Sequence, residues 1–137
     1  MKNILVLCTG NSCRSQMAEG YLRHFGGDRV NIYSAGIETH GLNKMAVKIM
    51  HEDAIDISGH TSNHIDEYQK IHFDYILTVC DHAKENCPYF PSDAQRFHHN
   101  FSDPSKLKGN AEDIHQAFKN TRNEIKDYAK SFIEINA

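Results

Sequence analysis

Hydrophobic residues in this chain fall into short runs with two different spacings. Residues 4–8 form an aliphatic run without polar alternation, which is typical of a strand buried on both faces of a sheet. Similar runs predict strands over residues 30–34 and 73–80, and a weaker run predicts a strand over residues 95–97. The pattern therefore predicts four strands, separated by longer segments.

Apolar residues recur at helical spacing between and after these strands. The inward faces of three predicted helices consist of Met17, Ala18, Tyr21, Leu22 and Phe25 before Gly26, of Met45, Ala46, Ile49 and Met50 within residues 42–52, and of Ile114, Phe118, Ile125, Tyr128 and Phe132 within residues 111–133. Alternating strands and helices predict one α/β domain over residues 1–137. Its central four-stranded parallel sheet should be flanked by helices on both faces.

Composition narrows the classes of function. The net charge is −3, and no run of Lys or Arg stands out, which argues against nucleic-acid and membrane-surface partners. The apolar run at residues 4–8 is too short for a membrane span or a secretory signal, so we expect a cytoplasmic protein, and we expect a monomer. Four cysteines in such a chain are more often catalytic, redox-active, metal-binding or buried than paired in structural disulfides.

The most informative segment joins the first strand to the first helix and contains Cys8, five further residues, Arg14 and Ser15. Such a loop turns several backbone N–H groups into one concavity, where the helix dipole adds positive potential. A tetrahedral oxyanion fits this cradle. Gly10 is expected to let the backbone curl, and Arg14 to place two donors on the anion. The predicted anion-binding residues are those of the loop: Thr9, Gly10, Asn11, Ser12, Cys13, Arg14 and Ser15.

Cys8 is predicted at the carboxyl end of a central parallel strand, where ligands bind in open α/β sheets. Its thiolate would face the central atom of the anion, and the loop N–H groups, Arg14 and the Ser15 hydroxyl would lower the thiol pKa. The alternative is a small apolar residue that caps a buried strand, but the spacing of Arg14 and Ser15 favours a nucleophile. No Gly-Lys-Ser/Thr follows, which excludes a nucleotide-binding loop. Cys13 is interpreted as structural.

Two more cysteines follow the third strand. Cys80 ends this predicted strand and so shares a sheet edge with Cys8, while Cys87 follows the polar segment 81–86. Three such thiols can form a relay in which each attacks the sulfur before it. The other interpretation is buried filling or two unrelated thiols, which the polar surroundings of Cys87 disfavour.

Residues 8–20 resemble the signature loop of the low-molecular-weight protein tyrosine phosphatase superfamily, and within it that of the thioredoxin-coupled arsenate reductases. The similarity covers nearly the whole chain and continues through four later segments: residues 34–37, 40–43, 55–58 and 78–80. The resemblance implies that Cys8 is the nucleophile and that Arg14 clamps the oxyanion. It also implies that Ser15 lowers the thiol pKa and that Asn11 braces the loop.

The resemblance further implies a reaction. Cys8 would attack arsenate and form a covalent adduct, and Cys80 would attack the Cys8 sulfur so that arsenite leaves. Cys87 would then form a disulfide with Cys80, and for this it must move inward. No bound cofactor is implied. Thioredoxin would reduce this disulfide as an external partner, with a glutaredoxin-like reductant left open.

Asp103 and Pro104 resemble the mobile acid loop of the superfamily, which implies that Asp103 is a general acid or manages the thiol protons. The stretch 99–102 departs from the reductase pattern, which usually has a tryptophan, a glycine, an aromatic residue and an extra aspartate there. Ser105 stands where tyrosine phosphatases typically place an aromatic residue that grips the substrate ring. Nothing in this region favours an aryl phosphate.

A metal site is the weakest part of the resemblance. Some reductases of this type bind potassium through residues that match Asn11, Glu19, Ser34 and the region of Thr61. Asn63 replaces an aspartate often present there, so we expect at most a weak potassium site. The histidines show no spacing typical of zinc sites, so no other metal is predicted.

Three functions are therefore open. The first is arsenate reduction through Cys8, Cys80 and Cys87, with weak phosphatase activity as a side reaction. The second is hydrolysis of small or tyrosyl phosphates through a phosphocysteine at Cys8, and the third is non-catalytic sensing of oxyanions or redox state. The two later cysteines favour the reductase.

Overall fold

The computed structural model describes residues 1–80 and 88–137. Within them, the predicted four-stranded parallel sheet is confirmed: β1 (Lys2–Leu7), β2 (Val30–Ala35), β3 (Tyr75–Thr78) and β4 (Gln95–His98), in the spatial order β2-β1-β3-β4. The predicted helices are also present: α1 (Arg14–Gly26), α2 (Lys44–Glu52) and α3 (Ala111–Asn136). Three short 3-10 helices were not predicted: Gly27–Arg29, Ile65–Tyr68 and Pro104–Lys106.

The larger core lies between the sheet and the three α-helices. It includes the strand residues Ile4 and Val6, and side chains from every predicted helical face, such as Met17, Met50 and Phe118. α1 packs on α3 and on β2, and α2 packs on α3. This packing fixes the start of α1 at the carboxyl edge of β1, where the predicted anion loop lies.

The opposite face of the sheet carries a smaller core built around Phe73 and Phe90, with Leu5 and Leu7 from β1. Among the described residues, its helical cover is the single 3-10 helix at Ile65–Tyr68 and not an α-helix. The helical cover of the two faces is therefore unequal in the part of the chain that the structure describes. Within this part, none of the helices is both long and apolar enough to cross a membrane.

The third strand is shorter than predicted. Phe73 packs into the smaller core, and the Asp74 carboxylate accepts a hydrogen bond from the Asn3 amide at 2.8 Å, so the strand begins only at Tyr75. It ends at Thr78, which pairs with Leu7. Cys8 and Cys80 therefore follow adjacent strands by one and two residues, at the same edge of the sheet.

Candidate active site

The loop between β1 and α1 is held from outside by the segment that follows β2. Three loop carbonyl oxygens accept hydrogen bonds from amides of that segment: Thr9 from Glu38 at 3.1 Å, Gly10 from His40 at 3.1 Å and Ser12 from Asn43 at 2.9 Å. A curled loop whose carbonyl oxygens are bound on its outer side presents N–H groups on its inner side. The backbone is thus arranged as an anion cradle.

The curl of the loop depends on Asn11. Asn11 has a φ of +47°, in the left-handed region, whereas Gly10 lies outside that region. The prediction that Gly10 supplies the curl is therefore wrong. Gly10 is needed for space, because a Cβ added there would lie 2.6 Å from the His40 Nδ1 atom. The missing side chain lets the His40 ring lie against the loop.

Asn11 and Ser15 are fully buried behind the loop. The Asn11 side-chain amide donates to the Ser15 Oγ atom at 2.8 Å, and Asn11 Oδ1 accepts from the Asn63 amide at 2.7 Å. Gln16 donates to the Asn11 carbonyl oxygen at 3.0 Å. These contacts hold the left-handed residue in place. Because Ser15 Oγ accepts a hydrogen bond, its own proton is available to another acceptor.

A cavity of about 130 Å³ opens on the inner side of the loop. A tetrahedral oxyanion has four oxygens, each about the size of a water molecule with its ~30 Å³ share of liquid volume. The cavity therefore has room for one such anion. Its walls come from the loop and from two flanking segments: Cys8, Thr9, Gly10, Ser12, Cys13, Arg14, Glu38, His40, Asp103, Ser105 and Lys106.

Arg14 begins α1 and is only 3% exposed. Its Nη1 donates to the Phe101 carbonyl oxygen at 3.1 Å, and its Nη2 lies 3.5 Å from the Asp103 Oδ2 atom. The Phe101 ring is buried, and the His99 ring packs on it with 4.2 Å between centroids. The unusual stretch 99–102 therefore supports the arginine through a backbone carbonyl, which does not require the side chains usual in the family.

Asp103 lies in the cavity wall, and its role as a general acid stays a prediction. Its Oδ1 accepts hydrogen bonds from the Ser105 amide at 3.0 Å and the Ser105 hydroxyl at 2.6 Å, which caps the 3-10 helix Pro104–Lys106. Its Oδ2 faces Arg14. One oxygen thus fixes the carboxylate, and the other is turned toward the cationic end of the cavity.

The cysteines have distinct environments. Cys8 and Cys13 are buried thiols that line the cavity, and Cys80 is fully buried and disulfide-bonded. Burial raises the pKa of Cys13 far above its ordinary value, and the nearby Asp103 and Cys8 raise it further. Cys13 therefore stays protonated, as expected of a structural residue. Cys87 lies outside the described residues.

Comparison with known proteins places the chain in a family. The family model described as low molecular weight phosphotyrosine protein phosphatase matches residues 3–136. The chain belongs to this phosphatase family. The phosphatase-family chain is 48% identical over 133 residues to an arsenate reductase of Halalkalibacterium halodurans, across 97% of this chain and 96% of that protein.

Solved structures agree with this assignment. A structure of an arsenate reductase in the phosphate binding state matches the phosphatase-family chain over the full length of both, with a TM-score of 0.83 and 28% identity. A thioredoxin-dependent arsenate reductase from Corynebacterium glutamicum matches all of this chain and 64% of its own, with a TM-score of 0.67 and 21% identity. The second match shows a shared fold.

Sequence reasoning missed three ionisable residues at the mouth of the cavity: Glu38, His40 and Lys106. The exposed Glu38 and His40 side chains approach each other to 3.1 Å. A positional signal was available, because Glu38 and His40 follow the carboxyl end of β2, at the edge where α/β sheets bind ligands. In this phosphatase-family protein, the segment after β2 therefore holds the loop from outside and also shapes its entrance.

The residues predicted for a weak potassium site meet behind the loop, where their oxygens form hydrogen bonds within the protein. The Glu19 carboxylate accepts from Ser34 at 2.6 Å and from Arg23 at 2.9 Å. Asn11 Oδ1 accepts from the Asn63 amide at 2.7 Å, and Asn63 Oδ1 accepts from the Thr61 hydroxyl at 2.7 Å. The guanidinium of Arg23 already supplies the positive charge that a potassium ion would bring. The weak potassium site stays a prediction, and Arg23 competes with it for the Glu19 carboxylate. The described residues contain no group of three or more His, Cys, Asp or Glu side chains that could hold a metal ion.

Proposed function

We propose that this phosphatase-family protein is an arsenate reductase that works through a relay of Cys8, Cys80 and Cys87. The observation that carries the proposal is that two cysteines lie at the same edge of the sheet. Cys8 opens into an oxyanion-sized cavity beside Arg14, and a second buried cysteine follows the adjacent strand at the same edge. A phosphatase needs the first cysteine but has no use for the second. The full-length similarity to proteins named arsenate reductase supports the same substrate.

In the first step, the Cys8 thiolate attacks the arsenic atom of arsenate. A sulfur–arsenic bond forms, and one arsenate oxygen leaves as water after it takes up protons. The inward N–H groups and Arg14 hold the negative charge on the remaining oxygens. We assign the delivery of a proton to the departing oxygen to Asp103, which is fixed by Ser105 and faces Arg14.

The structure shows Cys80 in a disulfide, so the external dithiol first reduces that bond and releases the Cys80 thiolate. In the second step, this thiolate attacks the Cys8 sulfur. The electron pair of the sulfur–arsenic bond passes to arsenic, which leaves as arsenite, and a Cys8–Cys80 disulfide remains. Cys87 then attacks Cys80, forms a new disulfide and releases the Cys8 thiolate. Two electrons from an external dithiol reduce the Cys80–Cys87 disulfide and close the cycle.

Thioredoxin is the proposed external dithiol, and we propose that the reaction takes place in the cytoplasm on a monomer. A thioredoxin-dependent arsenate reductase shares this fold, which motivates the choice of reductant. A glutaredoxin-like protein is the competing reductant. Steady-state assays that supply each reductant separately distinguish the two.

The decisive experiment is an arsenate-dependent assay coupled to thioredoxin and NADPH, on the wild type and on single Cys→Ser variants. We expect Cys87→Ser to release one arsenite per protein and then stop as a Cys8–Cys80 disulfide, which mass spectrometry detects. Cys80→Ser should stop before arsenite leaves. Cys13→Ser is the matched control and should keep multiple turnover. Undiminished multiple turnover by Cys87→Ser would refute the relay.

A phosphatase is the second candidate, and the family assignment together with Asp103 beside Arg14 favours it. Against an aryl phosphate, the described residues that line the cavity include no Phe, Tyr or Trp to pack on a substrate ring. Strong hydrolysis of aryl phosphates that survives Cys80→Ser and Cys87→Ser would select the phosphatase. High anion affinity without turnover on either substrate would select a sensor.

A further inference from the structure

Glu19 is a buried carboxylate directly behind the oxyanion loop. Its side chain is 9% exposed, and one of its oxygens accepts the Ser34 hydroxyl at 2.6 Å. A buried carboxylate is stable in its charged form only when a positive charge or several donors compensate it. The group that supplies the compensating charge to Glu19 therefore affects how α1 packs against the loop.

Arg23 lies one helical turn after Glu19 on α1. Its Nε atom donates to the second Glu19 oxygen at 2.9 Å, and its Nη2 atom donates to the Ile32 carbonyl oxygen on β2 at 2.6 Å. The guanidinium is thus fixed at two points, to the helix and to the sheet. It places a permanent positive charge on the buried carboxylate.

His60 is the other cationic candidate near Glu19, with its Nε2 atom 3.5 Å from the same carboxylate oxygen. The Gln16 amide nitrogen donates to the carbonyl oxygens of Asn11 and Thr61, so the Gln16 oxygen must face the His60 Nδ1 atom, at 3.1 Å. His60 Nδ1 therefore carries the proton. Burial lowers the pKa of His60, although Glu19 opposes this, so the charge of His60 depends on pH whereas that of Arg23 does not.

The same contacts connect this cluster to the nucleophile loop. Gln16 bonds to His60 on one side and to Asn11 on the other, and Asn11 is the left-handed residue that bonds to Ser15. A shift of Glu19 and His60 would therefore move Gln16 and change the curl of the loop. The charge balance at Glu19 bears directly on the shape of the anion cradle.

We propose that Arg23 is a positioning residue that acts as a built-in monovalent cation for Glu19 and makes the oxyanion loop independent of potassium. The guanidinium stands in for the metal ion that the family resemblance implies. This proposal concerns anion binding and folding, so it does not depend on the proposed arsenate reduction. Its readouts are phosphate affinity and thermal unfolding.

The test compares Arg23→Ala with the wild type in potassium chloride and in choline chloride, both at about 0.1 M so that screening is equal. In choline, we expect Arg23→Ala to bind phosphate at least about fivefold more weakly and to unfold at a lower temperature. Potassium should restore both properties to within about twofold and about 2 °C of the wild type, because the vacated position accepts the ion. The wild type should respond equally to both salts.

Two controls separate a cation role from simple loss of contacts. Arg29→Ala removes an arginine that also bonds to backbone carbonyl oxygens, but it lies away from Glu19, so no response to potassium is expected. Glu19→Gln in the Arg23→Ala background removes the charge to be balanced and should abolish the potassium response. If Arg23→Ala alone fails to fold in choline, the double variant still tests the proposal, because without the Glu19 charge it should fold in either salt.

Three outcomes would overturn the proposal. The first is wild-type phosphate affinity of Arg23→Ala in choline. The second is a defect of Arg23→Ala that potassium does not repair. The third is a wild type that depends on potassium as strongly as the variant.

Discussion

At the scale of single residues, the loop requires Asn11 and Gly10 for two different reasons. Asn11 occupies a left-handed conformation that costs a side-chain-bearing residue about 1–2 kcal/mol, and its buried hydrogen bonds to Ser15 and Asn63 offset this cost. Gly10 is required because another side chain, that of His40, occupies the space beside it. The sequence contains both residues, but it does not reveal which of them bends the chain.

Gly10→Ala tests this division of roles. We expect the added methyl group to push the His40 ring away and to weaken phosphate binding several-fold, with little change in stability, because the His40 side chain is exposed and can shift. Isothermal titration with phosphate measures the effect. Adding His40→Ala to the Gly10→Ala variant should restore phosphate binding. Gly59→Ala is the matched control, since nothing lies within 4 Å of its new methyl group. Equal losses in the single and double variants would contradict the packing argument.

The candidate site could be predicted from the sequence only where a residue acts through its position in the loop. Cys8 and Arg14 follow from the order of strand, loop and helix, and Asp103 followed from the family resemblance. His40 and Lys106 could not be found in this way, because their place at the mouth depends on how separate segments pack. The support of Arg14 by the Phe101 carbonyl has no side-chain signature at all.

At the scale of elements, the strands and helices were predictable because each buries a periodic apolar face. Their ends were less so, since local hydrogen bonds set them. α2 begins at Lys44, two residues later than the apolar pattern suggests, because the Asn43 side chain caps it by accepting from the Ala46 amide at 3.0 Å. The 3-10 helices have too few residues to show a period, so they escaped prediction.

Asn43 both caps α2 and holds the oxyanion loop, and a comparison with the cap of α3 distinguishes these two roles. The Asn43 side chain caps α2 while its amide holds the Ser12 carbonyl oxygen of the loop at 2.9 Å. The Asn110 side chain caps α3 by accepting from the Asp113 amide at 2.8 Å, at the start of a different helix. We expect Asn43→Ala and Asn110→Ala each to lower the free energy of unfolding by about 1 kcal/mol. Only Asn43→Ala should weaken phosphate binding, because loss of its cap lets the residue and its amide shift.

Urea denaturation gives the two changes in stability, and titration with phosphate gives the two affinities. A loss of phosphate affinity in Asn110→Ala as large as that in Asn43→Ala would mean that general loosening of the helices, and not the link to the loop, weakens binding.

At the scale of the whole molecule, the helical layer is joined by polar contacts as well as by the core. The Tyr21 hydroxyl on α1 donates to the carboxylate of Asp53 at 2.6 Å, and Lys126 on α3 reaches the same carboxylate at 2.9 Å. Burial raises the pKa of Tyr21 well above its ordinary value of 10.0, and the contact with Asp53 adds to this. Tyr21 thus joins Cys13 as a buried acidic group that stays protonated in the folded state.

This pair of groups predicts loss of stability at alkaline pH. In the unfolded chain, Cys13 loses its proton near its ordinary pKa of 9.0 and Tyr21 near 10.0, whereas both keep their protons in the folded protein. The unfolded state then binds fewer protons, so the free energy of unfolding falls as pH rises above about 9. The contribution of both groups is fully present below that pH.

Denaturation curves between pH 7 and 11 measure the slope of the decline. Cys13→Ser and Tyr21→Phe should each make the slope shallower, whatever they do to stability at neutral pH. Tyr89→Phe is the matched control, because Tyr89 is exposed, and it should leave the slope unchanged. An identical slope in all four proteins would show that other groups cause the decline.

The amides of Glu38, His40 and Asn43 hold the loop carbonyl oxygens before any anion arrives. Anion capture therefore requires little ordering of the backbone, and its entropic cost is confined to the loss of freedom of the ligand itself. The cavity is small, so little apolar surface leaves water when an anion binds. Calorimetry should accordingly find a favourable binding enthalpy that changes little with temperature. Association should then proceed without a slow conformational phase, at a rate set by diffusion into the charged mouth.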